Sequence, residues 1–249
     1  MINLKLLIFV LVLSRTVSYA QISDRPKSDS KRFEVINRGV AGNNSSDLLQ
    51  RVRKDALAED PDLVVIMVGT NDMLNSKKLI SYQEYENNYQ SIIDILKTSD
   101  TEILLMSSPP VDTAYVLKRH NRKAFHEDLN SKIFNAGRIV EKLANRNKLH
   151  FIDLHATFER LGSPNRDSCS LIINKTNYGV EDGVHPTRDG YKLIADTIFT
   201  YLKQKKLLTR KMKIICFGDS MTYGSYMKGE GTVEGDPYPA QLKSLLVTQ

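Results

Sequence analysis

Cys169 and Cys216 are the only cysteines in 249 residues. Two thiols cannot make a disulfide framework, and no His/Cys spacing here matches a zinc site. Cys216 lies inside an apolar run, where a buried free thiol is the expectation, although export would permit a disulfide. Basic blocks with interleaved aromatics are also missing, which removes the footprint of a nucleic-acid binder. The run Lys203-Gln204-Lys205-Lys206 reads as a solvated helix end. The apolar run from Leu6 to Leu13 is too short to span a bilayer comfortably, and Arg15 interrupts its extension.

That run, with Lys5 before it and Ser18-Tyr19-Ala20 after it, predicts a secretory signal over residues 1–20, cleaved after Ala20. The expected location is therefore secreted or periplasmic, with no stable membrane insertion after cleavage. Removal takes away Lys5 and Arg15 and no acid, so the formal charge of +6 becomes +4, a mildly basic surface. Residues 21–31 are polar and read as a flexible arm. The rest, 32–249, has the length of one sizeable domain. Its ordinary balance of 41% hydrophobic and 26% charged residues speaks against extended disorder.

Apolar runs and helical patterns alternate through that domain. Strands are predicted at 33–37, 63–68, 102–107, 150–154 and 213–217. Helices are predicted from Ser45 or Ser46 to about Ala58, over 81–97, over 121–145, from a Thr187 cap to about Gln204, and over 239–247. The run at 63–68 is continuously apolar, as in a strand buried on both faces. Five strands alternating with helices argue for a three-layer α/β/α sandwich with a parallel sheet. Segments 108–120 and 161–181 read as long irregular connections. Both follow strands, where loops border a site at the carboxyl edge of such a sheet.

Four short stretches carry chemistry. In Cys216-Phe217-Gly218-Asp219-Ser220 an apolar run stops at Gly-Asp-Ser, which presents a serine hydroxyl at the lip of a sheet. That hydroxyl needs a base to become a nucleophile. In Asn37-Arg38-Gly39-Val40-Ala41-Gly42-Asn43 a strand ends in two glycines and a helix begins. A free backbone N–H there can stabilise negative charge, or the stretch is a plain strand-to-helix turn. In Gly69-Thr70-Asn71-Asp72 the Asn71 amide could donate to an oxyanion, or simply bond its own turn. In Asp182-Gly183-Val184-His185 the imidazole can take a serine proton while the carboxylate orients it. His120, His126, His150 and His155 have no such partner pattern and read as surface or core residues.

Together the four stretches resemble the characteristic blocks of the SGNH (GDSL-type) hydrolase superfamily, over essentially all of the chain after the signal. The resemblance implies the flavodoxin-like fold with a five-stranded parallel sheet in the order 2-1-3-4-5. It implies Ser220 as nucleophile, His185 as base and Asp182 as its orienting carboxylate. It places the oxyanion hole at the Ser220 N–H, the Gly42 N–H and the Asn71 side chain, with Gly42 preferred over Gly39. It implies no metal or organic cofactor. The family's usual order begins with the serine, whereas here it comes last, so the chain reads as a circular permutant. Met212-Lys213-Ile214-Ile215 resembles a former N-terminus, and 205–211 a join between the old ends. New ends in surface loops are tolerated.

The reaction so implied is hydrolysis of an ester through an acyl-enzyme. Segments 108–120 and 225–238 are placed at the acyl and alcohol pockets. The second is glycine-rich and polar, which favours a small acyl group, acetyl, on a polar alcohol or carbohydrate. An exposed apolar lid, as a lipase would carry, is not evident. A lysophospholipase or thioesterase, an acyltransferase on the same site, and a non-catalytic binding module of the same fold are the alternatives.

Overall fold

The computed structural model describes residues 33–209 and 211–248. The expected signal over 1–20 and the arm over 21–31 therefore lie outside the described residues. Five parallel strands form one sheet in the order β1-β5-β2-β3-β4. They are β1 (Phe33–Gly39), β2 (Leu63–Met67), β3 (Glu102–Met106), β4 (His150–Ile152) and β5 (Met212–Gly218). All five residues of β2 are buried, as a parallel strand covered on both faces requires. Each such Leu, Ile or Val contributes about 1.5–3 kcal/mol by leaving water. The last of these strands in sequence lies inside the sheet, second from its edge, paired with β1 on one side and β2 on the other.

Among the described residues, ten α-helices link or follow the strands. They are α1 (Ser45–Asp55), α2 (Thr70–Leu74), α3 (Tyr82–Leu96), α4 (Thr113–Arg119), α5 (Leu129–Asn147), α6 (Leu154–Arg160), α7 (Lys175–Tyr178), α8 (Arg188–Gln204), α9 (Ser220–Tyr223) and α10 (Tyr238–Val247). One layer is built where α1 packs on α3 and α3 on α5; the other pairs α8 with α10, which also packs on β1. Thr187 caps α8 as expected, its Oγ1 accepting the Gly190 N–H at 3.2 Å.

Several expectations are corrected, and in most of them a short polar cap is the reason. Asn44, not Ser45 or Ser46, starts α1 through a capping box with Asp47: their side chains accept each other's N–H at 3.1 and 2.9 Å. The helix expected from 121 begins at Leu129, because Asp128 accepts the Ser131 N–H. Upstream, Asn121 caps a separate 3-10 turn, Arg122–Ala124. Segment 108–120 is not irregular throughout, since Asp112 caps α4 inside it. Strand β4 stops at Ile152, and Asp153 then caps α6. Segment 161–181 holds the short α7, capped by Asn174. Strand β1 runs two residues beyond its expected end at 37.

Candidate active site

The register of the sheet sets the site. Gly39 of β1 pairs with Gly218 of β5, and Gly218 with Met67 of β2, so three strands end in one row. The loops that leave this row carry Gly42, Ser220 and Asn71. At the end of β5 the Asp219 side chain accepts the Met221 N–H at 2.9 Å and caps α9, which makes Ser220 its first residue. The loop before α8 supplies Asp182 and His185.

These loops bring together residues that lie far apart in the chain. His185 Nε2 lies 2.9 Å from Ser220 Oγ, and His185 Nδ1 lies 3.1 and 3.0 Å from the two carboxylate oxygens of Asp182. The Asp182 carboxylate also accepts the N–H groups of Val184 at 2.9 Å and His185 at 2.6 Å. Arg119 Nη1 stands 3.3 Å away. Burial alone would raise the Asp182 pKa, but the His185 side chain and these N–H groups hold it down at about 2. Asp182 is therefore ionised wherever an imidazole changes charge.

Asn71 lies in the first turn of α2 rather than in an open turn. Its Nδ2 donates to the Asn43 carbonyl at 2.9 Å, and its Oδ1 accepts from Asn75 at 3.2 Å. One amide hydrogen is thus committed and the other is not. Gly42 has φ +80° and open space where a side chain would be. The Gly39 N–H is engaged, donating to Asn37 Oδ1 at 2.9 Å. Among the described residues, the N–H groups of Gly42 and Ser220 find no protein acceptor. A cleft of about 210 Å³ opens above Ser220, His185 and Asp182, with Asn71, Arg119 and Tyr226 also on its walls. Gly42 is not one of its lining residues; its neighbour Asn43 holds the Asn71 amide beside it.

Three further groups were not evident from sequence. Arg51 of α1 is largely buried, its guanidinium 4.4 Å from the Phe217 ring centroid. It donates to the carbonyls of Gly218 at 2.8 Å and Arg38 at 3.0 Å, and to Asn43 Oδ1 at 2.7 Å. Asp72, next to Asn71, is buried; its Oδ1 accepts the Ser45 N–H at 2.9 Å. Burial raises the Asp72 carboxyl to about 6 and that of Asp219 to about 7. Tyr226 stands over His185 with ring centroids 5.3 Å apart. Cys216 is buried and free, and burial lifts its thiol to about 12, which makes it inert.

A serine hydroxyl on an imidazole backed by a buried carboxylate, at the carboxyl edge of a parallel sheet, defines a site suited to acyl transfer. The family model of the GDSL-like Lipase/Acylhydrolase family matches residues 15–193. An acetylxylan esterase of Geobacillus stearothermophilus is 26% identical over 173 residues, covering 66% of this chain and 69% of its own. A GDSL esterase/lipase of Arabidopsis thaliana is 29% identical over 189 residues, covering 70% and 68%. Among solved structures, an acetyl xylan esterase superposes with a TM-score of 0.53 at 24% identity, over 66% of this chain and 78% of that one. A lipase/acylhydrolase from Enterococcus faecalis does so with 0.53 at 23%, over 69% and 75%. The chain belongs to the GDSL-like lipase/acylhydrolase family. It is a carboxylic ester hydrolase of the GDSL type.

Proposed function

We propose that the protein is a serine esterase that removes small acyl groups, acetyl above all, from a polar alcohol or carbohydrate. The 2.9 Å approach of His185 Nε2 to Ser220 Oγ, with Asp182 behind it, carries this reading. Ser220 Oγ attacks the ester carbonyl while His185 takes its proton, and Asp182 stabilises the imidazolium. The oxyanion is held by the Ser220 and Gly42 N–H groups and by the free amide hydrogen of Asn71. As the tetrahedral adduct collapses, the C–O bond to the alcohol breaks and His185 returns the proton to the leaving oxygen. Water then attacks the acyl-enzyme by the same route. Gly42 is preferred to Gly39 as donor because the Gly39 N–H is already engaged. The acyl preference rests on the small cleft and on its polar rim at Asn71, Asn75 and Arg119.

The chain is read as a circular permutant of its family. Support comes from the sheet: numbered from the strand that carries Ser220, the order β1-β5-β2-β3-β4 becomes 2-1-3-4-5. The family match also ends at residue 193, short of that strand. Residues 1–20 are read as a leader that directs export, where acetylated carbohydrate polymers would be met.

Release of p-nitrophenol from p-nitrophenyl acetate and butyrate by the protein, beside Ser220→Ala, tests the reading. Activity abolished in a folded Ser220→Ala protein, with acetate preferred, is expected. Activity that survives the substitution removes Ser220 from the chemistry.

A further inference from the structure

His185 must hand its proton to the leaving oxygen, so that oxygen comes within hydrogen-bond reach of Nε2. In the proposed mechanism the oxyanion faces the other donors, Gly42 N–H and the free amide hydrogen of Asn71. Whatever the oxygen belongs to therefore extends over the His185 side of the cleft. Two tyrosines stand on that side, each 45% exposed: Tyr226, 5.3 Å from the His185 ring, and Tyr178. Their rings meet nearly at a right angle (82°) with centroids 6.3 Å apart, forming an open corner.

The corner is built rather than incidental. Tyr226 has φ +71°, a conformation uncommon for a bulky residue. The chain holds it there from both sides. Its carbonyl accepts the Tyr178 hydroxyl at 2.7 Å, and its N–H donates to Glu230 Oε2 at 3.3 Å. An outlier fixed beside a reacting group calls for a functional account. Two rigid aromatic faces with polar edges suit a ligand that is itself amphipathic, apolar on its faces and polar on its rim. A pyranose ring has that character, with C–H groups on its faces and hydroxyls around it. Arg119, half-exposed on the same wall, spends Nη1 on the Glu181 carbonyl and Asp182 and has its Nη2 and Nε donors left for those hydroxyls.

We propose that Tyr226 and Tyr178 form the subsite for the alcohol of the ester, and that this alcohol is an acetylated pyranose that lies against the two rings. The proposal rests on the serine-esterase reading for the direction in which the alcohol leaves.

Hydrolysis of methyl tri-O-acetyl-β-D-xylopyranoside and of ethyl acetate, followed by pH-stat with the full-length protein, tests it. The wild type is expected to favour the xyloside in kcat/KM. In Tyr178→Ala and Tyr226→Gly the ratio of the two kcat/KM values should fall by roughly tenfold or more, through KM. Glycine suits the backbone at 226, so that variant keeps its fold. Tyr226→Phe retains the ring and should retain the ratio. A ratio unchanged in both ring-deleted variants, a parallel loss on both substrates, or a wild type that hydrolyses ethyl acetate but not the xyloside overturns the subsite. Ethyl acetate hydrolysis that persists in Ser220→Ala overturns instead the serine reading. The subsite is then judged by saturation transfer to methyl β-D-xylopyranoside, expected in Ser220→Ala and absent from Ser220→Ala/Tyr178→Ala. No transfer in the single variant sinks the subsite.

Discussion

Arg51 Nη2 donates to the carbonyl of Gly218 at 2.8 Å, across 167 residues of chain. Through Arg38 and Asn43 the same guanidinium also holds the loop that carries Gly42. One cation thus ties the turn before Ser220 to the turn before α1, and it sits on the Phe217 ring between them. Lysine keeps the charge but not the fork. Arg51→Lys should therefore lower kcat by about tenfold with little change in KM, because the proposed oxyanion donors would lose their setting rather than the substrate its contacts. Stability should fall by about 2 kcal/mol, the worth of a lost charged hydrogen bond. Urea unfolding beside steady-state kinetics measures both. A loss confined to stability would make Arg51 a structural residue only.

Asn71 is the second test of the oxyanion arrangement. Its carbonyl is fixed by Asn75 and one amide hydrogen by Asn43, which leaves one hydrogen uncommitted for the proposed oxyanion contact. Asn71→Ala should reduce kcat by roughly a hundredfold or more, about 3–4 kcal/mol at the transition state. Turnover per folded molecule, with circular dichroism as the folding control, decides it.

Two glycines three residues apart should respond differently to the same substitution. A methyl on Gly39 would overlap the backbone of Thr222 and Tyr223, where α9 packs against the end of β1. Gly39→Ala should cost about 3 kcal/mol or more, by overpacking against backbone that cannot yield. A methyl on Gly42 meets nothing, and only its φ of +80° is penalised, at about 1–2 kcal/mol. Gly42→Ala should therefore fold. Thermal melts of the two variants give the comparison.

The same contrast marks what the sequence could disclose. Strands such as 63–67 were legible because an apolar run bounded by turn residues has few other uses. Gly218-Asp219-Ser220 and Asp182-x-x-His185 stood out because the residues of each pattern are near neighbours in the chain, and the structure brings the two together. Thr187 was legible as a cap, but several other helix starts were not, since Asn44, Asp112, Asp128 and Asp153 each cap where a neighbouring polar residue could equally have done so. Arg51 could not be found at all. On α1 it looks like any solvated cation, and only the β5 carbonyl, far away in sequence, makes it a buried tie. Tyr226 was hidden likewise, because its backbone conformation depends on Tyr178 and Glu230.

Three buried carboxyls, Asp72, Asp182 and Asp219, should give the fold an acid-side stability optimum. Asp182 has a folded pKa of about 2 against an ordinary 3.8, so the unfolded chain binds more protons between those values. Its contribution is full above 3.8 and is lost as pH falls toward 2. Asp219 runs the other way. Burial lifts it to about 7, so the folded chain binds more protons from 3.8 upward, and its contribution is lost as pH rises through that window. Asp72, lifted to about 6, adds to the same limb. The urea midpoint should peak near about pH 4 and fall on both sides. Asp219→Asn keeps an acceptor for the Met221 N–H and should remove much of the fall toward neutral pH, leaving the acid limb. A neutral limb as steep as in the wild type would show that Asp219 is not its source.

Chain order makes a kinetic prediction. Strand β5 pairs with β1 and β2, yet it is made last, so Phe33 must find Met212 and Leu63 must find Ile214 across most of the domain. Non-local pairing slows folding because loop closure precedes the contacts that reward it. A rearranged chain that begins at Met212, runs to Gln249 and continues from residue 21 brings this interior strand first and closer in sequence to both partners. It keeps the packing of α10 on β1 and α8. Such a chain should refold faster, while its unfolding rate stays close to that of the parent, since the native contacts are the same. Stopped-flow refolding from urea compares the two. Equal refolding rates would mean that β5 docks after the rate-limiting step, on a sheet nucleus already formed by β2 and β3.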